Sequence, residues 1–256
     1  MNYSDLKNNY SNSLEKEYTK QEILFGIVKK YSKNKMRILE FIDSNQENIK
    51  KYRLFNRNIK VIGLTLGDQK PSYPLVEINE TDCIDFIKNN HFEIYNLDFY
   101  GPGRYFNYGL NSNYLKIATR LFKFQKINDF SIILTLDSFD SEIKNKDQIK
   151  LLGKNCNLSD ILSKEYLDDL CKYVIKKNKQ RDYLIYVELS MIICLILSIS
   201  RKYKYNGYIY KFPVCYIGKS SNHISMMYTI GFIFSKQKCQ NVPIINVIKK
   251  TKILVN

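Results

Sequence analysis

The feature that most limits what this chain can fold into is the alternation of short apolar runs with helical segments between residues 20 and 138. MRILEFID (36–43), KVIGLTL (60–66), the start of LVEINETDCIDFIKNN (75–90), FEIYNLDF (92–99) and FSIILTLDS (130–138) each have the length and composition of a buried strand. Helical patterns separate them. EKEYTKQEILFGIVKKYSKNK places Ile23, Leu24, Ile27, Val28 and Tyr31 on one face, and Thr19 with Glu22 reads as a capping box at its start. Ser44 with Glu47 reads as a second capping box, and residues 111–125 are helical by the spacing of Tyr114, Leu115, Ala118, Leu121 and Phe122. Strand and helix alternating at short spacing predict an α/β fold, a mostly parallel sheet with helices on both faces. Right-handed crossovers then bring the carboxyl ends of all the strands to one edge, where ligands collect in such sheets.

Two further segments complete the plan. Residues 139–180 are rich in charge and contain LSDILSKEYLDDLCKYVIKK, an amphipathic helix, so they read as a helical insertion in a single domain spanning 1–256. Residues 211–235, KFPVCYIGKSSNHISMMYTIGFIFS, are two apolar runs joined by a small polar connector and predict a C-terminal antiparallel hairpin. Before that hairpin, YLIYVELSMIICLILSIS (183–200) approaches the ~20 apolar residues that cross a bilayer. Glu188 and three serines interrupt it, so a helix buried in the protein core is the expectation and a membrane anchor the alternative.

Charge and cysteine usage narrow the chemistry. Lys and Arg number 40 against 25 Asp and Glu, a formal charge of +15 that would attract nucleic acid or another polyanion. The lysines are spread along the chain beside abundant Asn, Ile and Tyr, a bias that an AT-rich genome also produces. Six cysteines, Cys83, Cys156, Cys171, Cys194, Cys215 and Cys239, form no CxxC pair and no secretory signal precedes them, so they read as reduced, mostly buried thiols of a cytoplasmic protein. With His91 and His223 the only histidines, no metal site is expected. Neither a G-x-S-x-G elbow nor a phosphate-binding G-x-x-x-x-G-K-[ST] loop is present.

The order of five strands, a late helix and a terminal hairpin, together with NLDFYG (96–101), resembles the Rossmann-like (class I) methyltransferases that use S-adenosylmethionine. The resemblance covers about residues 20–235. It implies cofactor contacts at Glu40 on the first strand, Thr65 at the end of the second, and Asp82 and Cys83 after the third, with Phe86 near the adenine. The glycine-rich turn of that family is not kept here, because Phe41, Ile42, Asp43, Ser44 and Asn45 follow Glu40. NLDFYG is similar to the Asp-Pro-Pro-aromatic and Asp-Pro-Tyr-Gly motifs of amino-group methyltransferases acting on nucleic acids, with Phe99 in place of proline. By that similarity Asp98 would accept hydrogen bonds from a target amine while Phe99 and Tyr100 stack on its base. Read from the residues alone, Asp98 equally caps the turn after its strand, Phe99 and Tyr100 equally pack under the next helix, and Glu40 and Asp82 equally serve as strand-end and cap charges. Two expectations follow: a methyltransferase-like protein acting on an amino group in nucleic acid, or a catalytically inactive Rossmann-like subunit that binds nucleic acid or serves a structural role.

Overall fold

The computed structural model describes residues 14–31, 35–41, 47–55, 57–64, 76–79, 83–98, 113–137, 162–179, 182–219, 224–237 and 242–254. An N-terminal helix runs as α1 (Leu14–Thr19), a π-helical turn (Lys20–Leu24) and α2 (Phe25–Lys30). Then follow β1 (Met36–Phe41), α3 (Glu47–Phe55), β2 (Ile59–Leu64), β3 (Val76–Asn79), α4 (Cys83–Asn89), β4 (Ile94–Asp98), α5 (Asn113–Phe124) and β5 (Asp129–Asp137). The C-terminal half contributes α6 (Lys164–Lys176), α7 (Tyr183–Lys202), β6 (Asn206–Ile209), β7 (Val214–Lys219), β8 (Ile224–Ser235), α8 (Ile244–Ile248) and β9 (Lys252–Leu254).

The strands form one sheet in the order β3-β2-β1-β4-β5-β8-β7-β9, with β6 also pairing β8. β1 to β5 are parallel, and β8 runs antiparallel between β5 and β7. The expected α/β class and C-terminal hairpin are therefore both present. Because side chains alternate across a strand, each strand feeds two cores. Leu39, Tyr95, Leu97, Ile132 and Leu134 face one core with residues of α5, α6 and α7, whereas Met36, Ile38, Ile94 and Ile133 face the other with residues of the N-terminal helix and α3. Gly231 on β8 lets the N-terminal helix come close: a Cβ there would lie 2.8 Å from both Ile23 Cγ2 and Ile27 Cδ1.

The N-terminal helix begins earlier than the capping-box reading places it. Thr19 has helical backbone angles and its hydroxyl donates to the Glu15 carbonyl at 2.7 Å, so it lies inside the helix and does not cap it. A back-bonded threonine mid-helix satisfies its hydroxyl without ending the helix. Ser44 of the second capping box lies outside the described residues.

α7 is long and apolar enough to cross a membrane by length and composition, yet 72% of its most apolar window is buried inside the protein. It is a core helix in this fold, apolar over most of its surface because neighbours cover most of it, with Ser198 exposed. The charge that interrupts it is accounted for as well. Glu188 is 5% exposed and accepts a hydrogen bond from the Tyr228 hydroxyl on β8. β6, α8 and β9 were not foreseen; each is five residues or fewer, too short to show a period.

Of the cysteines whose side chains are described, Cys215 is buried, Cys194 half-buried and Cys171 exposed, and these three are free thiols. Burial pushes the Cys194 thiol up to about 11, and burial followed by the charges of Glu188 and Asp182 pushes Cys215 up as well. Neither presents a thiolate nucleophile near neutral pH.

Candidate active site at the carboxyl edge of the sheet

Glu40 and Asp98 come to the same edge by strand register. Glu40 pairs with Asn96 across β1 and β4, and Asp98 lies two residues further along β4, on the same face. The next strands continue the row: Asp98 is opposite Thr135, and Thr135 is opposite Thr229, their hydroxyls 3.0 Å apart and buried. A strip of Glu40, Asn96, Asp98, Thr135 and Thr229 thus replaces apolar residues where the face approaches the carboxyl edge. All but Asp98 are buried, and it is half-buried.

Glu40 is 5% exposed and fully engaged by α3. Asn48 Nδ2 donates to Oε1 at 2.6 Å, and the Tyr52 hydroxyl donates to Oε2. Asn48 and Tyr52 are four residues apart, one helical turn, so both reach the same carboxylate. Tyr52 is itself buried and meets the Phe25 ring edge-on with centroids 5.9 Å apart, which ties α3 to the N-terminal helix. Asn48 Oδ1 is buried and has no hydrogen-bond partner.

At Asp98 the N-terminal helix supplies a counter-charge. Lys16 Nζ lies 3.5 Å from Oδ2, and the two side chains are 9% and 20% exposed. Asp98 Oδ1 is buried with no hydrogen-bond partner. An unsatisfied buried acceptor costs about 1–3 kcal/mol, so two of them at one sheet edge point to donors that a ligand would bring. The π-turn after α1 is of the kind that recurs at functional sites, and here it follows the turn of helix that carries Lys16.

Of the residues singled out by sequence, Glu40 and Asp98 are brought together. Cys83 is the first residue of α4 after β3. Thr65, Asp82, Phe99 and Tyr100 lie outside the described residues, as do Asp43, Ser44, Asp68, Arg104 and His223. Phe86 stacks on Phe92 with centroids 6.1 Å apart, in the core beneath α4 and α5. Lys16, Asn48 and Tyr52 escaped sequence reading. A signal for Lys16 existed: Lys16, Thr19, Ile23 and Ile27 recur at helical spacing, which puts the lysine on the buried face. Among the described residues no three His, Cys, Asp or Glu side chains cluster as metal ligands would.

His91 is at the other end of β4, half-buried, with Nδ1 lacking a hydrogen-bond partner. Burial, then the nearby charges of Lys126 and Arg37, hold its pKa below the usual histidine value. The unfolded chain therefore binds the proton more readily, and stability is lost as pH falls through the unfolded-state value of about 6.5. Urea unfolding at pH 7 and pH 5 should show a lower midpoint at pH 5, and His91→Asn should reduce that difference. A variant with the full pH dependence would exclude His91 as a source of it.

No protein-family model and no curated protein matches the chain. Solved structures do. The plantazolicin methyltransferase BamL, in complex with triazolic desmethylPZN analog and SAH, superposes with a TM-score of 0.50 at 9% identity, covering 91% of each chain. The plantazolicin methyltransferase BpumL in complex with SAH gives 0.46 at 13% identity over 91% of this chain and 89% of its own. With the strand order and the antiparallel β8, the superposition on BamL establishes that the chain has the Rossmann-like fold of the class I methyltransferases.

Proposed function

We propose that the chain is an S-adenosylmethionine-dependent methyltransferase acting on an amino group, and that this amine is carried by nucleic acid. The observation that carries the reading is the buried, unpartnered Oδ1 of Asp98 at the carboxyl edge of β4, in a fold shared with methyltransferases. One buried acceptor fits the cofactor: Asn48 Oδ1, suited to an ammonium or hydroxyl donor of an aminoacyl nucleoside, while Asp98 Oδ1 is left for the substrate. Glu40 would act on the cofactor through Asn48, with Thr65, Asp82 and Cys83 making the remaining contacts.

When bound, the cofactor would supply an electrophilic methyl group on a sulfonium: the nitrogen–carbon bond forms as the carbon–sulfur bond breaks, S-adenosylhomocysteine leaves, and the methylated ammonium gives its proton to solvent. The chain's part is alignment. Asp98 Oδ1 accepts an N–H of the target amine and so directs its lone pair, Lys16 fixes the other carboxylate oxygen, and the N-terminal helix shields the pair in part from water. Phe99 and Tyr100, which follow Asp98 in sequence, are assigned to stacking on the base. The charge of +15 supports a polyanionic substrate.

Calorimetric titration with S-adenosylmethionine and S-adenosylhomocysteine tests the reading, and absence of heat at millimolar ligand overturns it. Asp98→Ala should keep cofactor binding and slow transfer by about 10–100-fold, the worth of one hydrogen bond to a charged group. A second reading, a non-catalytic subunit on the same frame, is favoured by the engagement of both Glu40 oxygens within the protein. It expects no cofactor heat, and polyanion binding that is unchanged in Asp98→Ala.

A further inference from the structure

Between β6 and β7 the chain reads Tyr208-Ile209-Tyr210-Lys211-Phe212-Pro213. Tyr208, Tyr210 and Phe212 are half-buried, the last two against the core under the N-terminal helix, while Ile209 and Pro213 are buried. Lys211 has φ 54°, the left-handed conformation, and the kink lets β6 and β7 pair with successive parts of β8. Each ring has a lysine ammonium beside it. Lys30 Nζ is 5.2 Å from the Tyr208 centroid, Lys211 Nζ 5.6 Å from that of Tyr210, and Lys252 Nζ 5.7 Å from that of Phe212. Lys30 also donates to the Tyr208 hydroxyl at 2.6 Å, and Lys211 pairs with Glu22 at 3.0 Å. Three aromatic rings within five residues of the chain, each with an ammonium group beside it and those groups drawn from three separate segments, make a stripe.

The stripe belongs to the sheet face that carries Asp98. Asp98, Thr135, Thr229, Val214 and Lys252 are successive partners in one transverse row. Lys252 is thus four interstrand spacings, about 19 Å, from Asp98.

We propose that Lys30, Tyr208, Tyr210, Lys211, Phe212 and Lys252 form a docking surface for single-stranded nucleic acid. Unpaired bases stack on aromatic faces without sequence preference, and lysines beside them meet the phosphates. Lys30 lies at the hydroxyl end of Tyr208 and not over its face, and the ammonium groups held weakly near Tyr210 and Phe212 can move to a phosphate as a base arrives. A duplex offers no free base faces to these rings. The proposal extends the nucleic-acid reading of the substrate given above, and its test uses neither cofactor nor methyl transfer, so either can fail without the other.

The probe is a fluorescent single-stranded oligonucleotide of about 12 nucleotides, followed by anisotropy across a salt series. The charge-reversed pair Lys30→Glu, Lys252→Glu should lower affinity more than about tenfold and flatten the salt dependence. The ring-deleted pair Tyr208→Ala, Phe212→Ala should lower affinity by about tenfold or more while leaving the salt slope unchanged. Tyr208→Phe, which keeps the ring, should bind as the native protein does and controls for folding. Lys176→Glu, Lys177→Glu on and just after α6 has the same net charge as the first pair and should bind normally. An equal loss in that control would mean that net charge alone binds the strand, and undiminished binding by the ring-deleted pair would remove stacking. Either result overturns the proposal, as would tighter binding to duplex of the same length or to phosphatidylserine vesicles.

Discussion

Phe234→Ala should lower the free energy of unfolding by about 3–5 kcal/mol, read as a fall in the urea midpoint. Phe234 on β8 is fully buried. It meets the Phe122 ring edge-on at 4.7 Å and stacks on Phe130 at 5.2 Å, and Phe130 in turn meets Tyr205 edge-on at 5.2 Å. These rings join α5, β5, β8 and the end of α7, so the cavity left by the substitution opens where the parallel and antiparallel parts of the sheet meet. The surroundings cannot collapse into it without moving a strand, which places the cost toward the upper part of the range. Gly207 offers a second readout. A Cβ there would be 2.4 Å from Phe234 Cε1 and 2.8 Å from Leu197 Cδ2, so Gly207→Ala should cost about 1–3 kcal/mol in the native background. In Phe234→Ala the nearer clash is gone, and the double variant should be more stable than the sum of the single effects allows. Strict additivity would mean that ring contact is not what makes Gly207 necessary.

The strands of the parallel half were legible because they are nearly continuous apolar runs, as burial on both faces requires. β1 and β4 lie within the predicted spans, β2 and β5 each begin one residue before theirs, and the predicted connector at 218–223 falls at the junction of β7 and β8, with Gly218 and Lys219 still in β7. The buried helix was legible for the same reason, and Glu188 within it separated a core helix from an anchor once its partner on β8 was known. The start of the N-terminal helix was misread at Thr19 because Ser and Thr make local hydrogen bonds both at caps and inside helices, and the sequence Thr-x-x-Glu does not distinguish them. Lys16 was missed for a different cause. Its partner Asp98 is remote in sequence, and only the packing of the helix over the sheet brings the two together. Asp98 itself was found through a motif, whereas the vacancy at its Oδ1 is a property of geometry that no local pattern encodes.

Glu40→Ala should cost about 3–5 kcal/mol of stability, more than its own side chain contributes by burial. Its two oxygens satisfy donors from Asn48 and Tyr52, both on α3, and removal leaves each of those donors inside the protein with a partner lost. A buried group deprived of its partner costs about 1–3 kcal/mol, and here two are affected together. Glu40→Gln keeps an acceptor for one donor and should cost only about 1 kcal/mol. Tyr52→Phe, which withdraws a donor from a buried carboxylate, should fall between them at about 1.5–3 kcal/mol. The same three variants separate the roles open to Glu40 when cofactor titration is added to unfolding. If Glu40 acts by holding Asn48, affinity for S-adenosylmethionine should follow the Asn48 bond and not overall stability, weakest in Glu40→Ala and nearly native in the less stable Tyr52→Phe, where that bond is kept. If the carboxylate itself met the cofactor, Glu40→Gln would lose affinity while remaining nearly as stable as the native protein. The buried position of Glu40 and the two bonds it accepts from α3 favour the first outcome.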